Sequence, residues 1–372
     1  MLILSILLII SCGRKTKLNL QTIDLKYLNS LNESVIDTSL SKTFSDHYAF
    51  FLENSDSLLV KDVANLTCYN NNLVMLNKHK IILYDMITSR QIRTYNSGDY
   101  RFEAFDYDTL NNRLYTLDSK KSRIICFSIN GKKEREIALN PEFEYSNIFC
   151  LGNDNLLITA KSLPFSVTFV VNTKTDRVTY IDKPKKKSFT PTQEQYDSLV
   201  ANAAPLYVYS KSPHGLLIKY LFNDTIYNYT AAGRKPWFFV KIGNERVSFR
   251  NKRRLIKDND RLCLLNFWKL NDTWLLRFRN KKYFSTVICD SHIRPFYPGL
   301  TMWTAPKTVF YIQGSNNLFM DERGQTLFSV QNYISKKGDI FKNFMSNLKL
   351  PPYLKDHEPK GDLLLCYYTI KK

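Results

Sequence analysis

Strand-like segments that recur every 41 to 43 residues, short polar turns between them and an aromatic-rich, glycine-poor composition predict an all-β propeller with short helical insertions. Leu76 to Leu117 is 41 residues, Tyr84 to Phe127 is 43 and Phe127 to Phe169 is 42. A period of about 40–45 residues built from strands is the mark of propeller blades. The 24 Phe and 23 Tyr against 12 Gly suit sheets that pack aromatics between them.

The repeat is clearest between residues 71 and 181. In its first copy, Val74-Met75-Leu76-Asn77 passes through Lys78-His79-Lys80 into Ile81-Ile82-Leu83-Tyr84-Asp85, and Arg90 to Tyr95 follows. In the second, Leu114 to Asp118 leads to Arg123-Ile124-Ile125-Cys126-Phe127, and Asn130-Gly131 turns into Glu134 to Ile137. The third is Asn155 to Ala160, Val167 to Val171 and Arg177 to Ile181. Upstream, Thr22 to Leu25, Ser57 to Val60 and Asn65 to Tyr69 read as strands leading into the first clear copy.

The N-terminus reads differently. Met1 to Ile10 is an apolar run broken only by Ser5, too short to span about 30 Å of hydrocarbon. It ends at Ile9-Ile10-Ser11-Cys12, which resembles the lipobox of bacterial lipoproteins. That resemblance implies a signal peptide over residues 1–11, a lipid on Cys12 that ties the chain to a membrane, and a tether over residues 12–20. The propeller would then occupy residues 21–372. The alternative is an ordinary secretory signal with an accidental cysteine, since no Lys or Arg precedes the apolar run. Gly13-Arg14-Lys15-Thr16-Lys17 is basic, whereas lipoproteins sent to the Bacteroidetes cell surface usually carry acids after the cysteine. The resemblance thus favours the periplasmic face of the outer membrane and leaves the cell surface open.

Net charge is +19, all of it outside residues 1–11. One reading is an anionic partner such as an acidic glycan or lipid head groups; the other is the codon habit of an AT-rich genome, which also yields many Lys, Asn, Ile, Tyr and Phe. A protein partner is the further option, while nucleic acid is excluded by the absence of any recognition motif and by the expected address. Lys185, Lys186 and Lys187, with Arg250, Lys252, Arg253 and Arg254, could form one basic rim and are the candidate ligand-binding residues. As charge runs, they could equally be solvated loop faces.

Between the third copy and residue 215 the rhythm breaks. Thr190-Pro191-Thr192-Gln193 is a helix start with Tyr196, Leu199 and Val200 at helical spacing, and Asp339 caps a second amphipathic segment over Ile340 to Leu348. Strands resume at Gly215 to Tyr220 and Asn223 to Tyr227. The Asn223-Asp224-Thr225-Ile226-Tyr227 strand, with Gly233 and Pro236 beyond it, resembles the six-bladed propeller lipoproteins of Bacteroidetes, which look like NHL and TolB-type propellers. Asn96 to Phe102 falls where members carry an inter-blade loop of Gly-Pro-Gly-Glu-Tyr type, matched here by Gly98, Asp99 and the aromatic. Leu363 to Tyr368 resembles the closing strand. The resemblance implies a propeller of six blades rather than seven and an envelope address, and it supplies no catalytic residues.

Neither does the sequence. The glycines are never closer than ten residues apart, which excludes the dinucleotide, nucleophile-elbow and phosphate-loop motifs. The five histidines are scattered, and Cys68, Cys126, Cys150, Cys263, Cys289 and Cys366 lack zinc spacing. Trp237, Trp268, Trp274 and Trp303 could stack on sugars or serve as core. The expectation is a binding or scaffolding module with no cofactor. Two alternatives remain: a metal-dependent hydrolase of the propeller-lactonase type, whose ligands would come from distant blades, and a sensor or accessory component of a nutrient-uptake system. Spacing cannot reveal such a metal site.

Overall fold

The structure, a computed structural model, describes residues 21–24, 28, 44–52, 63–69, 71–88, 90–95, 100–162, 165–182, 207–212, 215–220, 224–241, 263–270, 273–280, 283–292, 318–320, 326–332 and 363–370. Every element among them is a strand, and no helix there is long and apolar enough to cross a membrane. The expected helices at 190–200 and 339–348, and the expected strand at 57–60, lie outside the described residues.

Strands β1 (Gln21–Asp24) and β2 (Phe44–Leu52) precede the first sheet, formed by β3 (Val63–Tyr69), β4 (Asn72–Asn77), β5 (Lys80–Asp85) and β6 (Gln91–Tyr95). The second sheet comprises β7 (Phe102–Asp108), β8 (Arg113–Asp118), β9 (Arg123–Ser128) and β10 (Lys133–Ala138); the third, β11 (Glu144–Gly152), β12 (Asn155–Ser162), β13 (Phe165–Asn172) and β14 (Val178–Asp182). The fourth contains β15 (Tyr207–Ser212), β16 (Gly215–Tyr220), β17 (Thr225–Thr230) and β18 (Gly233–Lys241), and the fifth β19 (Cys263–Leu270), β20 (Thr273–Asn280) and β21 (Tyr283–Cys289). β22 (Leu318–Met320), β23 (Thr326–Asn332) and β24 (Leu363–Ile370) make the last. Within each sheet the consecutive strands run antiparallel, and β1 and β2 are added at the edges of the fourth and last sheets. The first strands lie against one another, β22 on β3, β3 on β7, β7 on β11 and β15 on β19, so the sheets stand around an axis as in a β-propeller.

The core explains the repeat. Middle strands are buried on both faces, so they read as continuous apolar runs, whereas the outer strands β6, β10 and β14 are mostly exposed or half-buried. Ile125, Leu114 and Phe127 pack toward Val74, Leu76 and Ile81 of the first sheet, while Ile124, Tyr115 and Cys126 pack toward Ile158, Phe169 and Val171 of the third. Val170 points the other way, to Leu216, Ile218 and Tyr229. Outer strand β10 instead runs exposed at Lys133, Glu134 and Glu136 and buried at Ile137. A two-residue turn at Lys78-His79, both with positive φ (45° and 68°), joins β4 to β5 with the twist that a tight hairpin needs.

Two sequence expectations are corrected. β1 does not lead into the first sheet; it pairs in parallel with β18, with Gln21 opposite Phe238 and Asp24 opposite Lys241, and its Ile23 is buried beside Phe238 and Val240. Alternation placed an apolar residue correctly but could not name its distant partner. In the third copy the residue at the position of Phe127 is Val171, not Phe169. The β12–β13 hairpin carries two more residues per strand, and Asn155 pairs with Asn172 as Arg113 pairs with Ser128.

The C-terminal strand β24 lies between β23 and β2, with Leu363 opposite both Asn332 and Leu52. The last sheet is therefore completed by a strand from near the N-terminus, which leaves no interior strand without a partner. Within the second sheet, the linker residue Tyr100 stacks on Phe102 and beneath the Arg123 guanidinium, 4.8 Å from its ring centre. Its neighbour Arg101 donates its amide to Asp118 Oδ1 at 3.2 Å, which ties the start of β7 to the end of β8.

Candidate functional site

The first strands carry polar residues where the middle strands carry aliphatics, and these residues meet. Asp106 of β7 is 3% exposed. Its Oδ2 accepts a hydrogen bond from the Cys150 amide of β11 at 2.6 Å, and its Oδ1 accepts one from the Lys211 ammonium of β15. One carboxylate thus joins the second, third and fourth sheets. The neighbouring Ser210 accepts from the Lys269 amide of β19 at 2.8 Å, and Asn65 of β3 donates to the Phe105 carbonyl at 3.1 Å. A line of polar links therefore runs along the first strands from the first sheet to the fifth.

Among the described residues the buried carboxylates are Asp106, Asp108 and Asp118. Asp108 is held by its own turn, accepting from the amides of Leu110 at 3.0 Å and Asn111 at 3.2 Å and from the Asn111 side chain at 2.8 Å. Asp118 receives Arg123 Nε at 3.0 Å and the amides of Arg101 and Lys120. All three are charge-neutralised or amide-bound within the fold, as buried carboxylates must be. Among the described residues no three His, Cys, Asp or Glu side chains converge as metal ligands would.

Other reactive groups are similarly occupied. Burial pushes the thiol of Cys126 up to about 11 and that of Cys289 up to about 12, so neither is a thiolate near neutrality. Between the third and fourth sheets, Tyr229 donates to Asp182 at 2.8 Å, Arg234 pairs with the same carboxylate at 2.7 Å, and burial raises the Tyr229 hydroxyl far above its ordinary value.

The residues singled out from sequence divide sharply. Cys12, Lys185, Lys186, Lys187, Arg250, Lys252, Arg253 and Arg254 all lie outside the described residues, as does Trp303. Trp268 and Trp274 are core, while Trp237 is 39% exposed. The Asp106–Lys211 pair was not legible, because its members stand 105 residues apart and neither belongs to a motif.

No family model matches the sequence, and no curated protein does. Solved structures are similar in fold. A protein of Bacteroides fragilis described as exported superposes with a TM-score of 0.65 at 16% identity, over 95% of this chain and 99% of that one. A member of the DUF4221 family from Bacteroides vulgatus gives 0.51 at 10% identity, over 91% and 98%.

Proposed function

We propose that this chain is a lipid-anchored, six-bladed propeller of the bacterial envelope that binds a macromolecular or glycan-derived ligand and performs no chemistry. The observation that carries the reading is the engagement of Asp106 by Lys211 and the Cys150 amide. A propeller hydrolase of the lactonase type needs first-strand carboxylates free to hold a cation and polarise a substrate. Here the ammonium of Lys211 takes the charge that a cation would neutralise, and Asp108 is committed to its turn. The envelope address draws support from the lipobox at Cys12 and from the exported description of the Bacteroides fragilis protein of similar fold. The basic tether favours the periplasmic face of the outer membrane.

Binding, on this account, belongs to surfaces rather than to the axis. Lys185, Lys186, Lys187, Arg250, Lys252, Arg253 and Arg254 are the residues proposed to meet an anionic glycan or other acidic partner. Binding of the purified full chain to an acidic polysaccharide should weaken steeply as the Debye length falls from about 10 Å at 0.1 M salt to about 3 Å at 1 M. Reversing those seven positions to Glu should abolish it, whereas reversing seven basic residues elsewhere should not. Stoichiometric calcium in the purified protein, together with lactone hydrolysis lost on chelation, would contradict the non-catalytic reading.

A further inference from the structure

The outward face of β18 carries two exposed aromatic side chains. Phe238 and Val240 point into the core at 4% and 0% exposure, while Trp237 and Phe239 are each 39% exposed. Trp237 sits at a register shift, where Ile226 faces Phe238 and Tyr227 faces Pro236, and such a bulge re-aims a side chain. Exposed Lys235 and Lys241 flank the two rings along the strand, Lys241 paired with Asp24 at 2.8 Å. Beside Phe239 the strand β1 offers Thr22, also exposed. Two adjacent aromatic rings bordered by lysines form an amphipathic surface of the kind that settles at a membrane–water boundary.

Chain connectivity says what this surface meets. β1 is the first described strand and runs parallel to β18, so its beginning, Gln21, lies opposite Phe238 and next to Trp237. Only residues 13–20 separate Gln21 from Cys12. The nine residue steps from Cys12 to Gln21 span at most about 3.3–3.6 Å each, or roughly 30 Å fully extended. A lipid on Cys12 therefore keeps Trp237 within one short tether of the head groups, and Arg14, Lys15 and Lys17 add positive charge on the way.

We infer that the β1/β18 face, through Trp237 and Phe239 with Lys235 and Lys241, seats the propeller on the anionic lipid surface of the membrane that anchors it. The inference rests on the anchor at Cys12. One attachment point would leave the orientation of the propeller free, whereas a second contact beside Gln21 fixes which rim is turned away from the bilayer. The rings enter the interface and Lys235 meets phosphate, with Lys241 held by Asp24 at the edge, while Phe238 and Val240 stay in the core.

The test uses the full chain in vesicles of phosphatidylethanolamine and phosphatidylglycerol with brominated acyl chains, which quench tryptophan on contact. Trp268 and Trp274 are buried and report little. Wild-type emission should fall by up to about a quarter relative to unbrominated vesicles, since Trp237 is one of four tryptophans and Trp268 and Trp274 are sequestered from lipid. Trp237→Phe should remove most of that difference, and adding Phe239→Trp to that variant should restore it; the gain of signal guards against a misfolded variant. Equal quenching in wild type and Trp237→Phe would overturn the proposal, as would none in wild type. Self-association lost in Trp237→Phe, with no lipid quenching, would assign the face to a second copy instead. The mass of the same preparation reads the anchor separately, so failure at Cys12 and failure of this face give different results.

Discussion

Replacing Asp106 with Asn is the most informative single change in the fold. The side chain of Asp106 is 5% exposed and that of Lys211 is 22% exposed, so the pair is nearly dry on the carboxylate side and reaches water on the ammonium side. Breaking a buried pair by removing one partner costs about 3–5 kcal/mol, and the access of Lys211 to water lowers that for the loss of Asp106. The Asn oxygen still accepts from the Cys150 amide, so the expected cost is about 2 kcal/mol. Lys211→Met should cost more, about 3 kcal/mol, because it strands the drier charge. The double variant should recover at least about 1 kcal/mol relative to the sum of the single changes. Urea unfolding followed by far-ultraviolet circular dichroism measures all three, with calcium as a further arm. Additivity within about 0.5 kcal/mol would refute the clasp. Calcium stabilising the wild type but not Asp106→Asn would recast the residue as a metal ligand.

Three other outcomes follow from the packing. Deleting residues 362–372 removes β24 from between β23 and β2 and should lower the melting temperature far more than deleting residues 13–19; equal melting curves would contradict closure by β2. Gly215→Ala places a methyl carbon 2.5 Å from the Tyr229 carbonyl oxygen at a φ of +134° and should cost about 2–4 kcal/mol in urea unfolding; a neutral result would contradict that backbone geometry. Burial pushes the hydroxyls of Tyr115, Tyr145 and Tyr220 up to about 12, above their ordinary 10.0. Stability should then be complete below pH 10 and fall as the pH rises from 10 towards 12, whereas a flat profile of urea midpoints to pH 11.5 would contradict their burial.

The hairpins β4–β5, β8–β9 and β12–β13 are legible in the sequence because their residues are buried on both faces, which leaves runs such as Ile124-Ile125 and Val170-Val171 with no polar interruption. First strands are harder to read. β7 holds Asp106 and Asp108 and β11 holds Ser146 and Asn147, since these strands face one another through hydrogen bonds as well as apolar contacts. Longer range defeats local reading altogether: β1 meets β18 across more than 200 residues, and Asp106 meets Lys211 by topology alone. Trp237 is visible as a tryptophan, but its exposure follows from the bulge opposite Tyr227, which no local pattern announces.

The central claim, that a membrane anchor holds this propeller, is tested most directly by the intact mass of the protein extracted from membranes of a lipoprotein-processing bacterium. The account predicts a chain that begins at Cys12 and carries a diacylglycerol group with or without a further acyl chain, so that residues 1–11 are missing and a lipid mass is present. A chain beginning at Met1, or one cut elsewhere with Cys12 unmodified, would contradict it.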